Sequence, residues 1–270
     1  MNLGRCARVS VLSLLLAASG GAYPESAVGA SPPAPTAAID PKASAELTRM
    51  ADYLRTLQSF VLHAETTKDE MVNHNFKIER SAKMHVTVKR PDRLRADADG
   101  DEGARSFFYD GKSFTLYTKS DNYYATTEAP PTILDALEML LQRYGVELPL
   151  LDVVYAAVGG NLGEAILEAG DIGPSRVAGV DCEHLAFRGN KVDWQLWIEK
   201  GDKPVPRKMV VTTRAEAAAP QFIAVLTWDV APTIDDASFA FTPPEGAMRI
   251  PFRPLRDQAS ESRRAQRANK

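Results

Sequence analysis

The chain has only two cysteines, and one of them, Cys6, stands ahead of the first apolar run. Cys182 alone remains for the body of the protein, which excludes an internal disulfide there and a cysteine-built zinc site. Histidine is scarce too. His63, His74, His85 and His184 include no two at the spacing that puts metal ligands on one helix face. There is no Gly-x-Ser-x-Gly elbow, no phosphate-binding loop and no Gly-x-Gly-x-x-Gly turn. Excess charge of one sign is missing: 32 Lys plus Arg against 35 Asp plus Glu leave a net charge of −3. That removes the basic footprint of a nucleic-acid-binding protein. Beyond the N-terminus no apolar run is long enough to span a bilayer as a helix. The expectation is a protein that is not an enzyme, with no catalytic residues, no metal and no cofactor.

What is present starts with a secretory pattern. Arg5 and Arg8 precede a short apolar run over residues 9–18, and small residues follow. Gly20 and Ala22 occupy the positions a signal peptidase reads, with Val28 and Ala30 as a second option; a buried N-terminal helix is the competing reading. Residues 1–22 are thus expected to be a signal peptide and the mature protein to be soluble and periplasmic, in a Gram-negative bacterium. Cys6 falls before the cleavage region, so it is not a lipid-modified N-terminal cysteine. Residues 23–39 are rich in Ala, Pro, Ser and Gly and read as a disordered linker. Residues 253–270 hold six basic and two acidic side chains without an apolar period and read as a solvated tail.

Between these ends lies a globular stretch, residues 40–252. Asp40 followed by Pro41 is a helix start, Asp as cap and Pro at the first helical position. Leu47, Met50, Ala51, Leu54 and Leu57 then form one apolar stripe. From Ser59 the period becomes two. Phe60, Leu62 and Ala64 alternate with Val61, His63 and Glu65, and Met84, Val86 and Val88 with His85, Thr87 and Lys89. Asp110-Gly111 separates residues 107–109 from Phe114 and Leu116 as a hairpin turn, and residues 120–122 turn the chain into 123–126. Helical spacing returns over residues 132–169: Thr132 with Asp135 resembles a capping box, and 150–157 and 162–169 are shorter helical candidates. Strands resume at 182–188, 193–199, 206–213 and 222–229, with Phe239 to Phe241 as a last short one. This order predicts an α+β, mainly β fold. A curled antiparallel sheet forms an incomplete barrel, with an N-terminal helix and a helical lid inserted at 132–169.

Two local features carry alternatives. Asp97, Asp99, Asp101 and Glu102 around Gly100 suggest either a calcium loop or a solvated turn between strands; the distal Glu of a calcium loop is absent. Cys182 alternates with its neighbours in a strand-like segment and reads as a small buried hydrophobe rather than a reactive thiol.

Three segments, in order, resemble the LolA family of periplasmic lipoprotein carriers. Lys89-Arg90-Pro91-Asp92-Arg93-Leu94-Arg95 is similar to that family's Lys-Arg-Pro strand end. The run from Tyr109 through Asp110-Gly111-Lys112 to Tyr117 resembles its Asp-Gly-Lys hairpin. Phe239-Ala240-Phe241-Thr242-Pro243-Pro244-Glu245-Gly246 resembles its C-terminal signature. The overall match is to a group of predicted periplasmic bacterial proteins within this superfamily. The resemblance implies an eleven-stranded half-barrel whose helical lid covers an apolar cavity. It also implies a lipid or an acylated lipoprotein as ligand, a membrane-bound donor or acceptor, and a monomer. The family's lid-tying arginine falls on Arg90, whose five donors suit several carbonyls at once; capping a strand edge is the other reading of Arg90. The same fold also serves as a periplasmic sensor that binds a protein partner, so fold alone does not choose between the two.

Overall fold

The computed structural model describes residues 39–72, 76–146, 150–159 and 166–255. The expected signal peptide, most of the linker and most of the basic tail lie outside these residues. Helix α1 (Pro41–Thr56) opens as its sequence requires: the Asp40 carboxylate accepts from the backbone N–H of Lys42 and of Ala43, and Pro41 takes the first helical position. Ala43, Leu47, Met50, Ala51 and Leu54 are buried on one face. The helix ends at Leu57, whose backbone is extended, and the chain enters the sheet two residues later.

Strands β1 (Ser59–Val72), β2 (Phe76–Lys89), β3 (Arg93–Gly100), β4 (Arg105–Tyr109), β5 (Ser113–Thr118) and β6 (Tyr123–Glu128) form an antiparallel meander. Helix α2 (Ile133–Met139), a π-helical turn (Leu140–Tyr144) and α3 (Leu151–Ala157) follow. A second meander comprises β7 (Glu168–Val177), β8 (Val180–Arg188), β9 (Val192–Glu199), β10 (Pro206–Thr213) and β11 (Gln221–Asp229). Strand β11 pairs antiparallel with β1, with Leu62 opposite Trp228 and Ala64 opposite Leu226, and this joins the two meanders. A two-residue strand β12 (Met248–Arg249) adds in parallel to β6. The result is one open, curled sheet of order β12-β6-β5-β4-β3-β2-β1-β11-β10-β9-β8-β7.

One face of the sheet is apolar because of the two-residue period. Phe60, Leu62 and Ala64 of β1 stand beside Val88, Val86 and Met84 of β2, and beyond them Leu94 and Ala96 of β3. Leu185, Phe187, Leu196, Ile198, Met209, Ala224 and Leu226 continue this inner face across the second meander. All of them join one core with the apolar faces of α1, α2 and α3. The opposite, outer face carries His63, Glu65, Lys83 and His85, and a small second cluster of Val177, Cys182, Trp197 and Val210. Cys182 is fully buried there, and burial pushes its thiol up, so it packs as a small hydrophobe.

Most expected strands and hairpin turns are found. The Asp110 carboxylate accepts from the N–H groups of Lys112 and Ser113, and Gly111 has φ +85°. Three expectations need correction. Residues 168–169, expected to end a helix, begin strand β7; Gly170, Gly173 and Pro174 hide the alternation, and a register shift between Asp171 and Gly173 breaks its period. Phe239 and Phe241 do not form a strand. Asp236–Phe239 is a 3-10 turn capped by the Asp235 carboxylate, and prolines at 232, 243 and 244 leave few donors for a ladder. The acidic cluster is not all turn. Asp97 and Asp99 lie in β3, an inner strand that Ala and Asp disguise. Gly100 is required where β3 meets β2, since a Cβ there would stand 2.2 Å from the carbonyl oxygen of Ser81.

One charged knot pins the start of α1 to the second meander. Lys42 Nζ lies 2.6 Å from Asp171 and 2.5 Å from Glu183, and Lys200 Nζ lies 2.8 Å from Glu183. The bonds to Lys200 and Lys42 hold the nearly buried Glu183 carboxyl down at about 2, from an ordinary value of 4.5. A depressed carboxylate stabilises the fold above its unfolded pKa and ceases to do so as pH falls through the folded one. The wild type is therefore expected to lose this contribution between pH 4.5 and about 2. A Glu183→Gln variant, less stable at neutral pH, shows a flatter acid limb in pH-dependent urea melts; equal slopes would remove the knot from the account.

Candidate functional site

The inner face and its helical cover make the candidate site. The cover is thin. Helix α2 is capped by Thr132, whose Oγ1 accepts from the N–H of Asp135, and it buries Ile133, Ala136 and Leu137. Leu140 and Tyr144 continue the buried face through the π turn, which Gly145 closes at φ +65°. Val153, Val154, Ala156 and Ala157 do the same in α3. Helix α2 with its π turn makes one run of twelve residues and α3 has seven, at or below the roughly 12–15 that hold a helix in water alone. Their order therefore comes from packing on the sheet.

Few polar ties hold this cover. Arg90, at the end of β2, donates from Nη1 to the carbonyl oxygen of Arg55 at 2.8 Å and to that of Ala157 at 3.3 Å. These carbonyls belong to the last turns of α1 and α3, where helix carbonyls lack partners and the dipole favours a cation. The Arg90 N–H also donates to Gln58 O, and the Ile133 N–H to Pro91 O. Arg90-Pro91 is a cis peptide bond. Tyr155 donates to Glu138, joining α3 to α2, and this bond raises the phenol to about 12. Tyr144 Oη lies 2.9 Å from Thr127 Oγ1 on β6. Its ring also packs edge-on against Phe252 at 4.6 Å.

Past Phe239 the chain runs over the outer face. There Phe241 packs among Phe108, Tyr117 and Tyr124 with ring centroids 5.1–5.6 Å apart. Arg95 lies 4.9 Å over the Phe108 ring and donates to Ser238 O. The aromatic signature thus clasps the back of the sheet, away from the core.

Toward the β1–β2 hairpin end the inner face opens into a pocket of about 140 Å³. Met84, Ala98, Phe107 and Phe222 form its apolar side, and Lys68, Arg80, Glu102 and Arg105 its polar side. Pockets for drug-sized ligands run to roughly 300–1,000 Å³, so this space is smaller than a whole ligand of that size. No sequence motif marks this rim. Its only trace was the inward register, which runs on from Ala64 to Lys68 and from Met84 back to Arg80.

Of the remaining candidates of the sequence only Glu102 reaches the pocket. Asp97 accepts from Arg95 and Ser106, Asp101 from the Ser81 N–H, and Glu102 pairs with Lys68. His63 and His85 face each other across β1 and β2 with their Nδ1 atoms 3.2 Å apart. Burial and then the charge of His63 push His85 down. His85 Nε2 lies 3.1 Å from Thr87 Oγ1, and His184 Nε2 lies 2.9 Å from Gln195 Oε1. His74 lies outside the described residues. Among the described residues no cluster of three His, Cys, Asp or Glu side chains is arranged to hold a metal ion. No described helix is long and apolar enough to cross a membrane.

The family described as "Predicted periplasmic protein (DUF2092)" matches residues 43–253. The chain belongs to this family. The DUF2092 match takes in α1 from Ala43 onward, every described strand and the described helices of the cover, so periplasmic location and fold apply to one and the same unit. No curated protein matches the chain. Among solved structures, it is similar to an uncharacterized conserved protein from Thermus thermophilus, with 11% identity over 78% of this chain and 99% of that one and a TM-score of 0.45. LprF from Mycobacterium bovis shows 14% identity, 77% and 99% coverage and a TM-score of 0.45. A LolA superfamily protein from Nitrosomonas europaea shows 11% identity, 74% and 97% coverage and a TM-score of 0.36. The half-barrel with an N-terminal helix and a helical cover is the architecture that the LolA resemblance implies, with eleven strands and the short β12 added.

Proposed function

We propose that this DUF2092 protein binds and carries a hydrophobic ligand, a lipid or the acyl chain of a lipoprotein, on the inner face of its half-barrel. The observation that carries the reading is the cover. Two short helical runs, of twelve and seven residues, lie on a continuous apolar sheet face, and the Arg90 side chain ties one of them, α3, to α1. Such a unit is the low-stability part of a fold and opens before the sheet does. An acyl chain replaces the contacts the helices give up. Burial is worth about 0.8 kcal/mol per methylene, so ten methylenes gain roughly 8 kcal/mol before the cost of opening. Arg90 is assigned the role of closing the cover, with its guanidinium as a two-point clip. No chemical step is assigned: the described histidines bond to one another, to Thr87 and to Gln195, none of them a serine or cysteine nucleophile.

Protein purified from its own periplasm should release lipid on solvent extraction and show bound mass under native mass spectrometry. Once stripped, it should bind a fluorescent fatty-acyl probe. No extracted lipid together with no probe binding refutes the carrier reading, and a stoichiometric protein partner recovered with an empty interior supports a sensor instead.

A further inference from the structure

The inner face changes character along β1 and β2. Near α1 it presents Phe60, Leu62, Val86 and Val88. At the far end the same register places Lys68 directly opposite Arg80, and Arg105 joins them from β4 through its pairing with Ala98. Like charges directly opposite each other across strands are unfavourable, so packing alone gives no reason for this placement. Glu102 pairs with Lys68 at 2.7 Å and Glu70 with Arg80 at 2.9 Å. These pairs are half-exposed, and pairs in contact with solvent are individually weak, so a ligand oxygen replaces one of them at little cost. Arg105 acts on Glu102 at a distance but forms no ion pair among the described residues. Three cations and one carboxylate, Glu102, thus line the pocket, with Glu70 and Asp101 acting on Arg80 from beyond its lining, directly against the apolar side formed by Met84, Phe107 and Phe222.

We propose that this end of the cleft selects an anionic amphiphile, an alkyl chain ending in a carboxylate or a phosphate monoester. Lys68, Arg80 and Arg105 take the acidic head. The first methylenes lie on Met84, Phe107 and Phe222, and the chain runs from there under the cover. The proposal rests on the carrier reading and adds head-group selection to it.

The test is a fluorescence titration of the stripped full chain with dansyl-undecanoic acid and with its methyl ester, equal in tail and different in charge. The acid is expected to bind roughly tenfold more tightly, the size of one charge-assisted hydrogen bond. The double variant Lys68→Gln/Arg105→Gln should bring the acid down to the level of the ester and leave the ester unchanged. Arg105 is exposed and Lys68 half-buried, and an unchanged circular-dichroism melt confirms the fold; Arg80→Gln gives an independent second variant. Competition by hexadecanoate against hexadecyl phosphate identifies which head the site prefers. Equal affinities for acid and ester in the wild type, or a preference that survives in both variants, overturns the proposal and leaves the carrier reading intact. No binding of either probe overturns both.

Discussion

Replacing Arg90 with methionine is expected to raise affinity for an acyl probe about tenfold and to lower the melting temperature by about 5 °C. Arg90 gives one carbonyl of α1 and one of α3 a charged donor. Bonds to charged groups are worth roughly 1.5–3 kcal/mol when buried, and Arg90 is only partly so, which leaves about 1.5–2 kcal/mol for the pair. Methionine keeps the aliphatic stem and removes the donors. The loss falls on the closed state alone, so the open population rises about tenfold for each 1.4 kcal/mol. A ligand that needs the open state gains the same factor. Hydrogen exchange should rise in α3 and the last turn of α1 and stay unchanged in β1 and β2. Arg90→Lys should fall between wild type and Arg90→Met, since both carbonyls accept from the one nitrogen Nη1 and an ammonium also carries several donors, though on a more flexible stem. Unchanged probe affinity and unchanged exchange in α3 would return Arg90 to the role of a strand-edge cap.

Phe60→Ala should cause the largest loss of stability of any single truncation considered for this sheet. Phe60 is fully buried, stands opposite Val88 on β2 and packs against Trp228 with ring centroids 5.3 Å apart. Truncating a buried Phe costs about 3–5 kcal/mol, transfer and cavity terms together. That is a large share of the roughly 5–15 kcal/mol that holds a typical domain, and it lowers the melting temperature by about 10 °C. Urea unfolding with an unchanged m-value measures it, because the surface exposed on unfolding barely changes. Phe60→Leu refills most of the volume and should cost roughly half or less. A loss under about 1 kcal/mol for Phe60→Ala would mean that the inward register of β1 is wrong by one residue, since a slip of one turns the whole set to the outer face.

Some of the molecule is readable in order along the chain. Asp40-Pro41 and the stripe from Leu47 to Leu54 specify α1, because cap, proline and apolar face all act within a few residues. Alternation fixes β1, β2 and β8 to β11, and Asp110-Gly111 fixes one hairpin. The elements that escape are those whose identity is lent by neighbours. Strand β3 mixes Arg, Leu, Ala, Asp and Gly and exists because β2 and β4 flank it. Strand β7 hides behind two glycines and a proline. Phe241 alternates like a strand residue, yet it becomes an aromatic clasp because Phe108, Tyr117 and Tyr124 meet it from β4, β5 and β6.

The sequence by itself determined a large β-rich unit entered through one amphipathic helix and interrupted by a helical segment, since periodicity and capping are local in the chain. Only the tertiary structure decided that β11 returns to β1 and so curls the sheet into one apolar inner face. It alone brought Arg90 against the carbonyls of Arg55 and Ala157, 35 and 67 residues away. It alone also set Lys68 across from Arg80 beside Arg105. Each of these depends on strand register and helix docking, and the free energy that selects them comes from burying the whole inner face at once, which no single segment carries.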